Sequence, residues 1–312
     1  MYKQMKNKLP NFLIIGAINS GTTALYYFLR KHPQIYMSPI KETNYFAFDG
    51  ERLDLEVADI TNIDKMKKIS ISNIEDYYKL FQDVSTEKAI GEASPSYISS
   101  PGAAQRIQKC IPNAKIVAIL RHPVDICYST MSRYSGGYEG AIEYLVETLS
   151  QTDCSQNKLL RSAISQGLYY NKIQSYFDKF NPEKIKILLY EDLQNHPKDL
   201  IRDILKFLNV DEDFVPDTNQ IYNKSGQTKS KILDKILRSS AIAPLKKIVK
   251  LYFPQRMQLY LAGLQHRLHS RNMISRPQLP LDIRRKIIQN YYREDILNLQ
   301  DLIQRDLSRW LI

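Results

Sequence analysis

Short apolar runs, each closed by glycine, proline or a polar turn, alternate along this chain with longer stretches whose apolar positions recur every three or four residues. The first run, FLIIGA (Phe12–Ala17), is continuously apolar and ends at a glycine, the pattern of a strand buried on both faces. A loop of small residues, Ile18–Gly21, follows. Thr22–Lys31 then predicts a helix with Ala24, Leu25, Phe28 and Leu29 on one face, stopped by His32-Pro33. The same order recurs at KIVAIL (Lys115–Leu120), Arg121-His122-Pro123 and the helix Val124–Arg133. It recurs again at KIKILLY (Lys184–Tyr190), Glu191-Asp192-Leu193 and the helix Pro197–Leu208. Helices also fit Pro101–Cys110, Ala141–Leu149, Gly167–Phe180 and Leu281–Trp310. Strands alternating with helices predict an α/β fold: a central parallel sheet flanked by helices on both faces, with ligands at the carboxyl ends of its strands. Neither an internal repeat nor a Gly/Ser-rich or Pro-rich linker interrupts the pattern, so residues 1–312 are expected to form a single domain.

Charge adds a second theme. The 312 residues carry a formal charge of +11, and the span 229–277 holds eleven Lys or Arg against one acid, Asp234. Nearly all of the excess therefore sits in one segment. It favours anionic partners: nucleotides, acidic glycans, nucleic acid or anionic lipid. Within it, Ile242, Leu245, Ile248, Val249, Tyr252 and Phe253 fall at helical spacing opposite Lys246, Lys247 and Lys250. That is either an ordinary helix with a solvated charged face or one that makes peripheral contact with an anionic membrane surface. Nucleic acid is not expected, because no zinc finger, aromatic RNA-binding signature or helix-turn-helix accompanies the charge. Three cysteines (Cys110, Cys127, Cys154) without a CxxC pair, and a polar start without an apolar core, lead to the expectation of a cytoplasmic protein. His266 and His269 have no nearby Cys, Asp or Glu to complete a metal set, so no metal site is expected.

The chemistry starts at GAINSGTT (Gly16–Thr23), between the first strand and its helix. Gly16 and Gly21 have the spacing of the glycines in a Walker loop, where backbone N–H groups and a helix N-terminus receive phosphate. Thr22-Thr23 stands where such a loop needs Lys-Ser/Thr, which disfavours an ATP or GTP hydrolase. Taken alone, the loop fits equally a small-residue turn closing a strand–helix junction. In the same way, Arg121 taken alone fits a structural ion pair.

The wider sequence resembles the PAPS-dependent sulfotransferase superfamily, closest to its bacterial and carbohydrate (heparan-sulfate-type) branch. The resemblance rests on seven stretches in order: GAINSGTT, the KETNYF of Lys41–Phe46, GEASPSYI (Gly91–Ile98), KIVAILRHPVDICYS (Lys115–Ser129), ILLYEDLQNHPKDLIRDILKFLNV (Ile187–Val210), NKSGQTKS (Asn223–Ser230) and the closing stretch Arg276–Trp310. It implies a P-loop-like nucleotide-binding fold and transfer of a sulfuryl group from PAPS, leaving PAP, to a hydroxyl or amine of a small-molecule or glycan acceptor. It implies that Asn19, Ser20, Gly21, Thr22 and Thr23 hold the 5′-phosphosulfate, that Arg121 and Ser129 hold the 3′-phosphate, and that Ser225 and Gly226 lie in a loop covering the nucleotide. Glu42 matches the glutamate base, and a wall formed by Tyr45 and Phe46 is expected to raise its pKa. The family carries lysine at the position of Asn19. Three readings follow: Lys41 supplies the missing cation, the enzyme is slow, or the protein binds PAP or PAPS without transfer.

Overall fold

The computed structural model describes residues 9–49, 70–150, 157–214 and 276–312, together with the backbone of three short strand segments at 52–53, 227–228 and 273–274. The chain divides into two compact units, Met1–Pro216 with Leu279–Ile312, and Asp217–Gln278. In the second, β8 (Gln227–Thr228) pairs antiparallel with β9 (Met273–Ile274). The amphipathic stretch 242–253 lies outside the described residues, as do Ser225 and Gly226.

The first unit is built on a five-stranded, all-parallel sheet with helices packed around it. Its strands are β1 (Phe12–Gly16), β2 (Ile35–Met37), β5 (Ala89–Ala93), β6 (Lys115–Leu120) and β7 (Ile185–Leu189), in the spatial order β2-β5-β1-β6-β7. A small antiparallel hairpin, β3 (Phe48–Asp49) with β4 (Arg52–Leu53), lies between β2 and β5 in sequence. β1 sits at the centre, and its Phe12, Leu13, Ile14 and Ile15 are all fully buried. Each such side chain contributes roughly 1.5–3 kcal/mol through burial. A register shift between Ile14 and Gly16 against β6 then frees the chain to turn away as a loop.

The three predicted strands are present. β2 and β5 were not legible in the apolar pattern. β2 is only three residues long, too short to show a period. β5 reads AIGEA, interrupted by Gly91 and Glu92, yet every residue in it is buried. Gly91 is opposite Phe12 across the β1–β5 pair, and a Cβ at Gly91 would stand 2.1 Å from the Phe12 ring. The missing side chain makes room for the aromatic one.

Two predicted helices are broken. The stretch Gly167–Phe180 takes in the last residue of one helix, Lys158–Gly167, and the whole of another, Tyr170–Phe177. Asp295 accepts from the amides of Tyr169 and Tyr170 at this joint, at 2.8 and 3.0 Å. Leu281–Trp310 is not continuous either. It runs as Leu281–Ile287, a π turn at Ile288–Tyr292, a helix Arg293–Ile303 and a 3-10 turn Ser308–Leu311. Gln304, in the left-handed region at φ 51, ends the long portion. Tyr190, predicted as strand, opens a short helix, Tyr190–Asn195.

Gly91→Val should displace the Phe12 ring and destabilise the fold by about 1–3 kcal/mol, as overpacking of a tight core does. Urea denaturation checks this, with part of the loss recovered in Phe12→Ala/Gly91→Val. An unchanged midpoint would show that the close approach is not structural.

Candidate active site

The loop after β1 is shaped by two left-handed residues, Asn19 at φ 61 and Gly21 at φ 93. Asparagine tolerates this region better than most residues, whereas glycine enters it freely. Gly21 is also hemmed in. A Cβ there would lie 2.8 Å from Leu193 Cδ2 and 3.1 Å from the Tyr190 ring. The Tyr190–Asn195 helix is thus the floor on which the loop rests. The helix Thr22–Leu29 follows directly, and no side chain caps its first N–H groups. Such uncapped amides, with the positive end of the helix dipole, are suited to an anion. Ser20 is buried, with its hydroxyl donating to the Ile18 carbonyl at 3.3 Å.

Arg121 leaves the carboxyl end of β6 and is almost wholly buried. Its Nη1 donates to the Asn19 carbonyl at 3.0 Å, joining the ends of two neighbouring strands. The guanidinium lies 4.5 Å from the centre of the Tyr190 ring, the same ring that supports Gly21. Asp125, in the first turn of the helix Pro123–Tyr134, stands 3.7 Å from Arg121 Nε and accepts from Arg284 Nη1 at 3.0 Å. Ser129 is buried one further turn along that helix, on the side of Asp125. Tyr169 joins the arrangement from a further segment, with its hydroxyl donating to the Arg121 carbonyl at 3.0 Å. Against these groups, the Asn19 Nδ2 amide is buried and has no hydrogen-bond partner among the described residues. It is a donor waiting for an acceptor.

Glu191 accepts from the His122 amide at 3.1 Å through one carboxyl oxygen, while the other is buried without a hydrogen bond. Burial pushes its pKa up, and the Asp125 charge adds to that.

Glu42 and Lys41 lie on a different loop, also at the carboxyl edge of the sheet. The Glu42 amide donates to the Ala93 carbonyl at the end of β5 at 2.9 Å, and the Ser94 amide donates to Ile14 of β1 at 3.0 Å. Glu42 is left-handed at φ 63, and its side chain is 48% exposed. The expected aromatic wall turns inward instead: Tyr45 stacks on Tyr77 at 4.4 Å, and Phe46 packs against Tyr77 and Tyr97. Lys41 Nζ pairs with Glu42 Oε1 at 2.5 Å, so its charge is directed at the carboxylate.

Asp125, Arg284, Tyr190 and Glu191 join the site without having been singled out from the sequence. Asp125 and Tyr190 had a local signal, at helical spacing from Arg121 and at the end of a strand. Arg284 had none, because 159 residues separate it from Asp125. Among the described residues no group of His, Cys, Asp or Glu is assembled to hold a metal ion, and no helix is long and apolar enough to cross a membrane.

Residues 10–214 match the sequence pattern of the Sulfotransferase family. The chain belongs to that family. It is similar to a sulfotransferase of known structure from Alicyclobacillus acidocaldarius, with a TM-score of 0.64 and 26% identity, over 96% of this chain and 98% of that one. It is 38% identical over 120 residues to the membrane-associated sulfotransferase kil1 of Dictyostelium discoideum, covering 38% of this chain and 21% of that protein. It is 25% identical over 209 residues to the human bifunctional heparan sulfate N-deacetylase/N-sulfotransferase 2, covering 65% of this chain and 22% of the relative. The chain thus spans about a fifth of the length of these curated sulfotransferases.

A carboxyl whose pKa is raised by folding contributes stability that is complete below the ordinary carboxylate range and lost as pH rises through its folded value. Glu191 belongs to this class. Glu191→Gln should therefore flatten the decline in stability from about pH 4 upward, since it keeps an acceptor for His122 but cannot ionise. Urea midpoints of both proteins across that range test this. Parallel curves would contradict it.

Proposed function

We propose that this chain transfers a sulfuryl group from PAPS to a hydroxyl or amine of a carbohydrate or glycolipid acceptor. The observation that carries the reading is the bond from Arg121 to the Asn19 carbonyl, which holds a phosphate loop and a buried guanidinium at adjacent strand ends. A nucleotide with phosphate groups at two positions matches that pairing. The loop amides and the side chains of Ser20, Thr22 and Thr23 receive the 5′-phosphosulfate, with Gly21 allowing close approach. Arg121 and Ser129 receive the 3′-phosphate by fork and hydroxyl. Ser225 and Gly226, which the family resemblance assigns to a covering loop, lie outside the described residues. The unpartnered Asn19 Nδ2 fits the oxygen between phosphorus and sulfur.

The acceptor oxygen or nitrogen forms the new bond to sulfur as the sulfur–oxygen bond to phosphate breaks, leaving its electron pair on that oxygen. Glu42 takes the acceptor's proton. Its half-exposed position suits a base that must meet an external acceptor, and Lys41 holds the carboxylate in place beforehand. The carbohydrate acceptor is supported by the similarity to heparan sulfate enzymes and by the basic segment 229–277, which favours an acidic acceptor. Asn19 donates one hydrogen bond where a lysine would add a full charge, and losing a preorganised donor of this kind costs about 10²–10³-fold in rate. That makes the enzyme slow.

Transfer from labelled PAPS to a panel of glycans and glycolipids tests the activity. Glu42→Gln should lower kcat by at least about 10²-fold, within the range for loss of a general base. Stabilisation by PAP with no transfer to any acceptor would favour a silent nucleotide-binding protein, a reading that the uncharged Asn19 supports. Asn19→Lys should raise turnover by about tenfold or more. It should also cost about 1–2 kcal/mol of stability, because lysine is strained at φ 61. An unchanged rate, with Lys41→Ala inactive, would assign the cationic role to Lys41.

A further inference from the structure

Glu92, in β5, is a fully buried carboxylate set among hydroxyl groups. Tyr97 Oη donates to it at 2.5 Å, Ser94 Oγ at 2.8 Å, Thr43 Oγ1 at 3.2 Å and Tyr77 Oη at 3.4 Å. Burial pushes its pKa up, and these four hydrogen bonds oppose the rise. In all four bonds the Glu92 carboxyl is the acceptor. Each hydroxyl that spends its proton on Glu92 must therefore turn a lone pair elsewhere.

Three of those lone pairs meet consecutive backbone amides. The Asn44 amide donates to Ser94 Oγ at 3.0 Å, the Tyr45 amide to Thr43 Oγ1 at 3.4 Å and the Phe46 amide to Tyr97 Oη at 3.3 Å. These N–H groups open the 3-10 turn Tyr45–Ala47, which has no side-chain cap from Asn44. Helical turns leave their first amides without internal partners, and buried ones need a substitute. The Asn44 side chain is occupied elsewhere: its Nδ2 donates to the Glu42 carbonyl at 3.0 Å, and its Oδ1 accepts from Ser96 at 2.6 Å.

We infer that Glu92 is a positioning residue that, through Ser94, Thr43 and Tyr97, caps the turn after Glu42 and fixes the left-handed backbone at Glu42 and Asn44. This rests on the reading of Glu42 as the base. The left-handed conformation is disfavoured for Glu42 above all, so the loop keeps its shape only where its surroundings impose it. By accepting from Tyr97, Ser94 and Thr43 together, Glu92 sets the direction of all three hydroxyls at once. An amide at that position would present a donor, so at least one hydroxyl must reorient its proton and hold its backbone amide less firmly.

Two measurements test this. In the first, Glu92→Gln should lower kcat by about tenfold or more with PAP affinity unchanged, while adding Glu92→Gln to Glu42→Gln should cause no further loss, as expected of residues acting as a unit. Multiplying losses in the double variant would overturn the inference. In the second, hydrogen exchange needs no activity: the amides of 44–46 should exchange at least about tenfold faster in Glu92→Gln, with β1 and β6 unaffected. If Glu92→Gln does not fold, Tyr97→Phe should speed exchange at Phe46 selectively. Unchanged exchange at these amides would refute the relay. Wild-type turnover in Glu42→Gln, with the exchange result as expected, would instead remove the base reading and leave the capping role standing.

Discussion

The bond from the Arg121 guanidinium to the Asn19 carbonyl is the constraint on which the rest of the site depends. It ties the loop after the central strand to the end of its neighbour, so that the loop and the guanidinium are held side by side. Everything around it serves the same pairing. Tyr190 lies under Gly21 on one side and under the guanidinium on the other, and Tyr169 binds the Arg121 carbonyl from a third element. Gly167 lets that element approach, since a Cβ there would meet the backbone of Pro123 at 3.0 Å. A guanidinium stacked and paired in this way keeps its charge and loses little mobility on meeting a ligand.

Charge distinguishes this site from the family pattern. Lysine in the loop would bring a full positive charge to the departing phosphate oxygen. Asn19 brings a buried amide and a backbone conformation that asparagine accepts readily. Lys41 carries a charge close to the proposed chemistry, but it faces Glu42. On the proposed reading, the loop and Arg121 are organised for a nucleotide, while the charge for the leaving group is reduced.

Much of this was legible in the sequence because the relevant signals are local. The loop Gly16–Thr23, Arg121 after an apolar strand, and Pro123 at a helix start are each set by a few adjacent residues, and all were found where expected. The parts that escaped depend on partners distant in sequence. β5 hid because Gly91 yields to Phe12, and because Glu92 is neutral to the pattern only once four hydroxyls surround it. The break at Gly167–Tyr170 depends on Asp295, more than a hundred residues away. Glu42 could be picked out, but its exposure could not. The aromatic residues beside it are drawn to Tyr77 and Tyr97, and the carboxylate is left facing outward.

On the proposed function, the loop Gly16–Thr23 and Arg121 act on the two phosphate positions of one nucleotide. Calorimetric titration of PAP and of adenosine 5′-phosphate, into the wild-type protein and Arg121→Ala, tests it most directly. The wild type should prefer PAP by at least about tenfold, on the order of 1.4 kcal/mol, and Arg121→Ala should lose this preference while still binding adenosine 5′-phosphate. Equal affinity of the wild type for the two nucleotides would contradict it.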